Sequence, residues 1–166
     1  MSLLASSITR RILHLSPAEK QRCGERIVDI LGGDSTRQVT DLPTRRGTAD
    51  GGIDGRVRVI AHGIEANAGF AVRISNQPFS RCELGCLFLD MDREGLTVGL
   101  IITAQGLTPD TQSEIRRLNR KYGLQFVHFS LEALVRGEIN TEDCRSLDQT
   151  IVERLRDQLR RYAEEA

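Results

Sequence analysis

The chain has 166 residues, long enough for one well-cored domain and short for two, because domains cluster near ~100–150 residues. With 39% hydrophobic and 28% charged residues it has the composition of a soluble globular protein, which excludes a disordered or fibrous chain. A formal net charge of zero excludes coating of nucleic acid by bulk positive charge and leaves recognition through a local basic patch open.

Leu3, Leu4, Ile8, Ile12 and Leu15 recur near helical spacing, so the first fifteen residues are predicted to form a short amphipathic helix. It would dock on the domain or on a second subunit. Ser16-Pro17-Ala18-Glu19 reads as a helix start, with Ser16 as N-cap, Pro17 in the first turn and Glu19 closing a capping box. Cys23, Ile27, Ile30 and Leu31 supply that helix's apolar stripe, and Gly32-Gly33 stops it.

Residues 38–42 form a candidate strand, followed by a loop over 43–47. From Ile53 to Ile60, apolar Ile53, Val57 and Val59 alternate with Asp54, Arg56 and Arg58, the period of a half-buried strand. Phe70, Val72 and Ile74 alternate with Ala71, Arg73 and Ser75 in the same way. Asn67-Ala68-Gly69 between them carries turn chemistry, which predicts an antiparallel hairpin turning there.

Ser80-Arg81-Cys82-Glu83 is a second capping box. The helix it opens is apolar nearly all round through Cys82, Leu84, Leu87, Phe88 and Met91, and is expected to be deeply buried until Gly95 ends it. Thr97 to Thr103 is a continuous apolar run that suits a strand covered on both faces. Thr108-Pro109 opens another helix with Ile115 and Leu118 on one face, Leu124 to Phe129 reads as a further buried strand, and Leu131 to Val135 as a short helix ended by Gly137. After the polar stretch 138–145, Ile151, Val152, Leu155, Leu159 and Tyr162 mark a C-terminal amphipathic helix.

An antiparallel hairpin feeding β-α-β crossovers predicts the α/β class, with a mixed central sheet of antiparallel and parallel strands flanked by helices. The organisation read from this order is an N-terminal segment over 1–15, a main domain over 16–137 and a C-terminal helical extension over 138–166. The terminal helices would serve a homodimer.

Cys23, Cys82, Cys86 and Cys144 are too sparse for a disulfide scaffold. Arg10 and Arg11 follow the first apolar residues rather than preceding them as in a signal peptide, so a reducing, cytoplasmic compartment is expected. No run approaches the ~18 apolar residues of a membrane span. The basic residues are almost all Arg, the lysines being Lys20 and Lys121, and Arg is the better bidentate phosphate ligand.

Gly47-Thr-Ala-Asp50-Gly-Gly-Ile-Asp54-Gly55, standing where a loop enters a strand, resembles the first motif of the Mrr-like branch of the PD-(D/E)xK nuclease superfamily. In that family the next strand carries Q-x-K or E-x-K, a helix follows, and a buried strand ends in Thr or Ser before a Phe-Thr or Leu-Thr segment. The corresponding stretches here are Phe70 to Ser75, Ser80 to Glu94, Leu100 to Thr103 and Gly106 to Thr108, with Glu25 at the place of a first-helix glutamate. The resemblance spans Pro17 to Gly137 and implies a restriction-endonuclease-like fold acting on DNA.

It also implies Mg²⁺ bound through Asp54, since Mg²⁺ takes oxygen ligands and there stabilises charge on a phosphodiester and activates water. The second half of the motif departs from the family. Aligned with V-Q-x-K, Val72-Arg73-Ile74-Ser75 puts Arg73 for the Gln or Glu and Ser75 for the Lys; a shift of one strand repeat puts Ala71 and Arg73 there. Neither register restores a carboxylate or a lysine. An arginine is a poor general base, and its cation repels a metal. The simplest consequence is an Asp54–Arg73 ion pair in the metal's place, with Arg56 as competing partner.

In the catalytic reading Asp54, Arg73 and Ser75 carry the chemistry, with Glu65 and Asp50 as substitute carboxylates for the metal. Arg45, Arg46, Arg56 and Arg81, with Arg58 and Arg73, concentrate on the cleft side as a DNA phosphate patch. The alternative is a non-catalytic module that binds DNA or a protein partner. Asp50 and Asp54 among glycines also suit a plain turn. Cys82 and Cys86 share a helix face at i, i+4 but are read as buried small apolar residues, and His14, His62 and His128 receive no role.

Overall fold

The computed structural model describes residues 2–32, 53–61, 64–136 and 149–165. Two helices, α1 (Ser2–Leu13) and α2 (Pro17–Gly32), precede a hairpin of β1 (Gly55–Ala61) and β2 (Ile64–Arg73). Then come α3 (Arg81–Glu94), β3 (Val98–Thr103), α4 (Pro109–Tyr122), β4 (Gln125–Ser130), α5 (Leu131–Arg136) and α6 (Gln149–Glu165). The expected strand over 38–42, the loop after it, Arg45, Arg46, Asp50, Gly137 and the polar stretch 138–145 lie outside the described residues.

Both capping boxes form. Ser16 N donates to Glu19 Oε2 at 3.0 Å while Glu19 N donates to Ser16 Oγ at 3.3 Å, and Ser80 and Glu83 repeat the pattern at α3. Gly95 and Gly123 close α3 and α4 at φ of 66° and 64°, a left-handed conformation that glycine adopts without a Cβ penalty.

The strands make one sheet in the order β1-β2-β3-β4, with β1 antiparallel to β2 and β2, β3 and β4 parallel. This is the mixed α/β architecture expected. Two crossovers that step the same way place their helices on the same face, since β-α-β units are right-handed. Accordingly α3 and α4 cover one face, where Leu84, Leu87, Met91 and Leu118 pack with Ala71, Ile101 and Phe126. On the other face Ile8, Ile12, Ile27, Leu31, Leu155 and Leu159 pack with Val57, Val59, Phe70, Val72, Leu100 and Phe129. Helices α1 and α6 thus share the core of the sheet. β3 is buried along its whole length, as the apolar run requires.

The hairpin differs from expectation in its turn. β2 begins at Ile64, and Asn67, Ala68 and Gly69 lie inside it, paired with Arg58, Val57 and Arg56. Gly69 serves packing: a Cβ there would stand 3.1 Å from Ile53 Cδ1 and 3.3 Å from Leu96 Cδ1. α3 differs in its burial. Leu84, Leu87 and Met91 are enclosed, but Cys82 is exposed, Cys86 is half-buried and Leu89 is 54% exposed. Among the described residues no helix is long and apolar enough to cross a membrane.

Candidate site at the carboxyl ends of the parallel strands

Register partners in a sheet project to the same face. Arg73, Thr103 and Ser130 are partners across β2, β3 and β4, and Ala71, Ile101 and His128 form the row behind them. Ala71 and Ile101 belong to the core under α3 and α4, so both rows face those helices. A polar row therefore closes the carboxyl ends of three parallel strands, the place where open α/β sheets take ligands.

The loops that leave this edge are tied together. Phe79 N donates to Gly106 O at 3.0 Å, Thr108 N to Phe79 O at 3.3 Å, and Thr111 Oγ1 to Phe79 O at 3.0 Å. The N-termini of α3 and α4 are consequently fixed side by side at the same end, capped by Ser80 and Thr108.

Asp54 stands just before β1, beside Ala71, because Gly55 pairs with Phe70. Its amide donates to Phe70 O at 2.8 Å and its Oδ2 accepts from Val72 N at 2.7 Å, so the carboxylate clamps the entry of β1 to β2. Gly55 is required there: a Cβ would stand 2.6 Å from Phe70 Cζ.

The expected Asp54–Arg73 and Asp54–Arg56 pairs do not form. Arg73 Nε donates to Glu83 Oε1 at 2.6 Å, and Glu83 Oε2 accepts from Ser80 N at 2.8 Å. Arg56 pairs with Glu94. The cause is α3, which sets Glu83, Asp90 and Glu94 along the face opposite the hairpin; Asp90 Oδ2 accepts from Ile53 N at 3.2 Å. Each of these carboxylates takes a donor from the hairpin or from Ile53 just before it, and sequence reasoning missed the set. Its signal was the helical spacing i, i+7, i+11 set against alternating strand arginines.

The other candidates are dispersed. Ser75 Oγ accepts from Gln77 N at 3.0 Å in the bend after β2, a turn-forming bond. Arg81 is exposed at the first turn of α3. Glu65 pairs with exposed Arg58 at 3.4 Å and lies opposite Ile60, six residues along β2 from Ala71. At ~3.3 Å per residue that is roughly 20 Å from the Asp54 level, so Glu65 is not brought to Asp54.

His128, given no role from sequence, has Nε2 2.7 Å from Thr103 Oγ1. Thr103 is buried, and burial pushes the His128 pKa below its ordinary value, favouring the neutral ring.

Mg²⁺ requires oxygen ligands. Among the described residues no group of three His, Cys, Asp or Glu is arranged to hold a metal, and the Arg73 guanidinium offers no oxygen ligand.

No protein-family model matches the chain, and no curated protein matches it. Among solved structures it is similar to the DNA modification-dependent restriction endonuclease AspBHI, at 16% identity and a TM-score of 0.48, over 99% of this chain and 40% of that one. The chain thus spans about two fifths of that protein's length.

Proposed function

We propose that this chain is a DNA-binding module of the restriction-endonuclease-like, Mrr-type PD-(D/E)xK kind in which metal-dependent hydrolysis is impaired. The observation that carries the reading is the Arg73–Glu83 ion pair on the strand position of the family's second motif. A cation held by a helix-cap carboxylate occupies the place of a metal ligand, and Asp54 is turned to clamp β2 instead. Exposed Arg81, with Arg45 and Arg46, supplies phosphate contacts, while Arg56 and Arg73 are engaged by α3. A homodimer through α1 and α6 would use their outer faces, for example at exposed Leu4, because their apolar faces are spent on the chain's own core.

The test measures duplex binding against salt and nicking of supercoiled plasmid with Mg²⁺. Binding that weakens with salt, without metal-dependent nicking, is the expected result. Mg²⁺-dependent nicking that disappears in Asp54→Ala while binding persists would establish the catalytic reading, with Asp54 as metal ligand and Mg²⁺ as cofactor. Absence of any salt-dependent binding would favour a protein partner.

A further inference from the structure

The outward face of α3 is unusual for a solvent-facing helix. Cys82, Cys86 and Leu89 follow one another along it at i, i+4 and i+7, and Gly85 lies beside the two cysteines with open space where a side chain would stand. Cys82 is exposed, Cys86 is half-buried, and both are free thiols. We propose that Cys82 and Cys86 form a two-thiolate site for a soft monovalent cation of the copper(I) class.

The span between the residues decides the chemistry. Side chains one helical turn apart have Cβ atoms about 5–6 Å from each other. A disulfide needs about 3.5–4.5 Å between Cβ atoms, so an intrahelical bridge would distort α3. Two metal–sulfur bonds of about 2.3 Å laid end to end cover about 4.6 Å, which the same pair spans without bending the helix.

The ligand set selects the cation. Thiolates favour soft ions, and zinc would need two further ligands, whereas no third His, Cys, Asp or Glu joins this pair among the described residues. Binding breaks two S–H bonds, forms two S–Cu bonds and releases two protons to solvent, with no change in oxidation state. The product carries one negative charge in the first turns of α3, where the helix dipole favours an anion. Proton release makes the affinity fall as pH falls.

The remaining cysteines are separable. Cys23 is 1% exposed, and burial pushes its thiol up to about 12, so it stays protonated inside the core. Cys144 is removed as Cys144→Ser in every protein tested. Copper(I), supplied anaerobically as its acetonitrile complex, is titrated against bicinchoninate, and the stoichiometry is read by native mass spectrometry. One copper per monomer is expected, lost in both Cys82→Ser and Cys86→Ser, with protection of both thiols from iodoacetamide when copper is bound. Failure of the parent chain to take copper from the chelator, survival of binding in either serine variant, or copper seen only between two chains would each overturn the site. Both substitutions fall on accessible positions, and far-UV circular dichroism confirms the fold of each variant.

Discussion

Arg73→Met removes the guanidinium from its contact with Glu83 and keeps much of the aliphatic stem. The two side chains are 25% and 20% exposed, so the pair lies between an exposed bridge, worth about 0.2–1 kcal/mol, and a buried one, whose rupture costs about 3–5 kcal/mol. Glu83 keeps its bond from Ser80 N, and its freed oxygen can take up water at that exposure. The expected loss is therefore about 1–2 kcal/mol, or a fall of roughly 2–8 °C in Tm at about 2–4 °C per kcal/mol. Glu83→Gln supplies the other arm of a double-mutant cycle, since the amide oxygen still caps Ser80 N but the charge is gone. Urea unfolding of the four proteins should give a coupling energy of about 1 kcal/mol. A coupling within about 0.3 kcal/mol of zero would refute the claim that Glu83 holds Arg73 in place.

Asp54→Ala should destabilise the fold by about 1–3 kcal/mol in the same assay, because the Val72 amide loses its acceptor; a variant as stable as the parent would contradict the clamp. Gly55→Ala drives a methyl into the Phe70 ring and should cost about 1–3 kcal/mol, with Phe70→Leu restoring part of the loss; no recovery in the double variant would show that the ring is not the obstacle. His128 has a folded pKa below its ordinary 6.5, so the unfolded chain binds the proton more readily. Its contribution is intact above pH 6.5 and is lost as pH falls from there through the folded value. Unfolding free energies of the parent and His128→Gln between pH 7.5 and 5 should diverge in the alkaline part of that range and approach one another below it, and parallel curves would refute the assignment.

The local chemistry of this fold is written where it acts. Ser16 with Glu19, and Ser80 with Glu83, mark helix starts because the bonds that satisfy the first amides join residues three apart. The all-apolar stretch ending in Thr103 identifies a strand covered on both sides for a similar reason. Asn67 to Gly69 misleads because its composition suits a turn, while the residue at 69 is small to admit Ile53 and Leu96, neighbours that only the folded sheet brings there. Arg73 is legible as a departure from a motif, but its partner Glu83 reads only as half of a capping box until α3 is laid across the hairpin. Cys82 and Leu89 point outward although their helix is rich in apolar residues, since only the face bearing Leu84, Leu87 and Met91 meets the sheet.

The contact between α1 and α6 makes α6 a closing seam of the domain. Arg11 Nη1 donates to Ala163 O at 3.2 Å across 152 positions, while Ser6 Oγ ties α1 to α5 by donating to Glu132 Oε1 at 2.9 Å. On a ribosome Ile8 and Ile12 emerge before the core that receives them is complete, since it includes Leu155 and Leu159, which are made more than a hundred residues later. Until then the nascent chain carries an uncovered apolar stripe, an exposure that invites chaperone binding. Release of α6 from the exit tunnel is thus the step that lets the whole face shut at once.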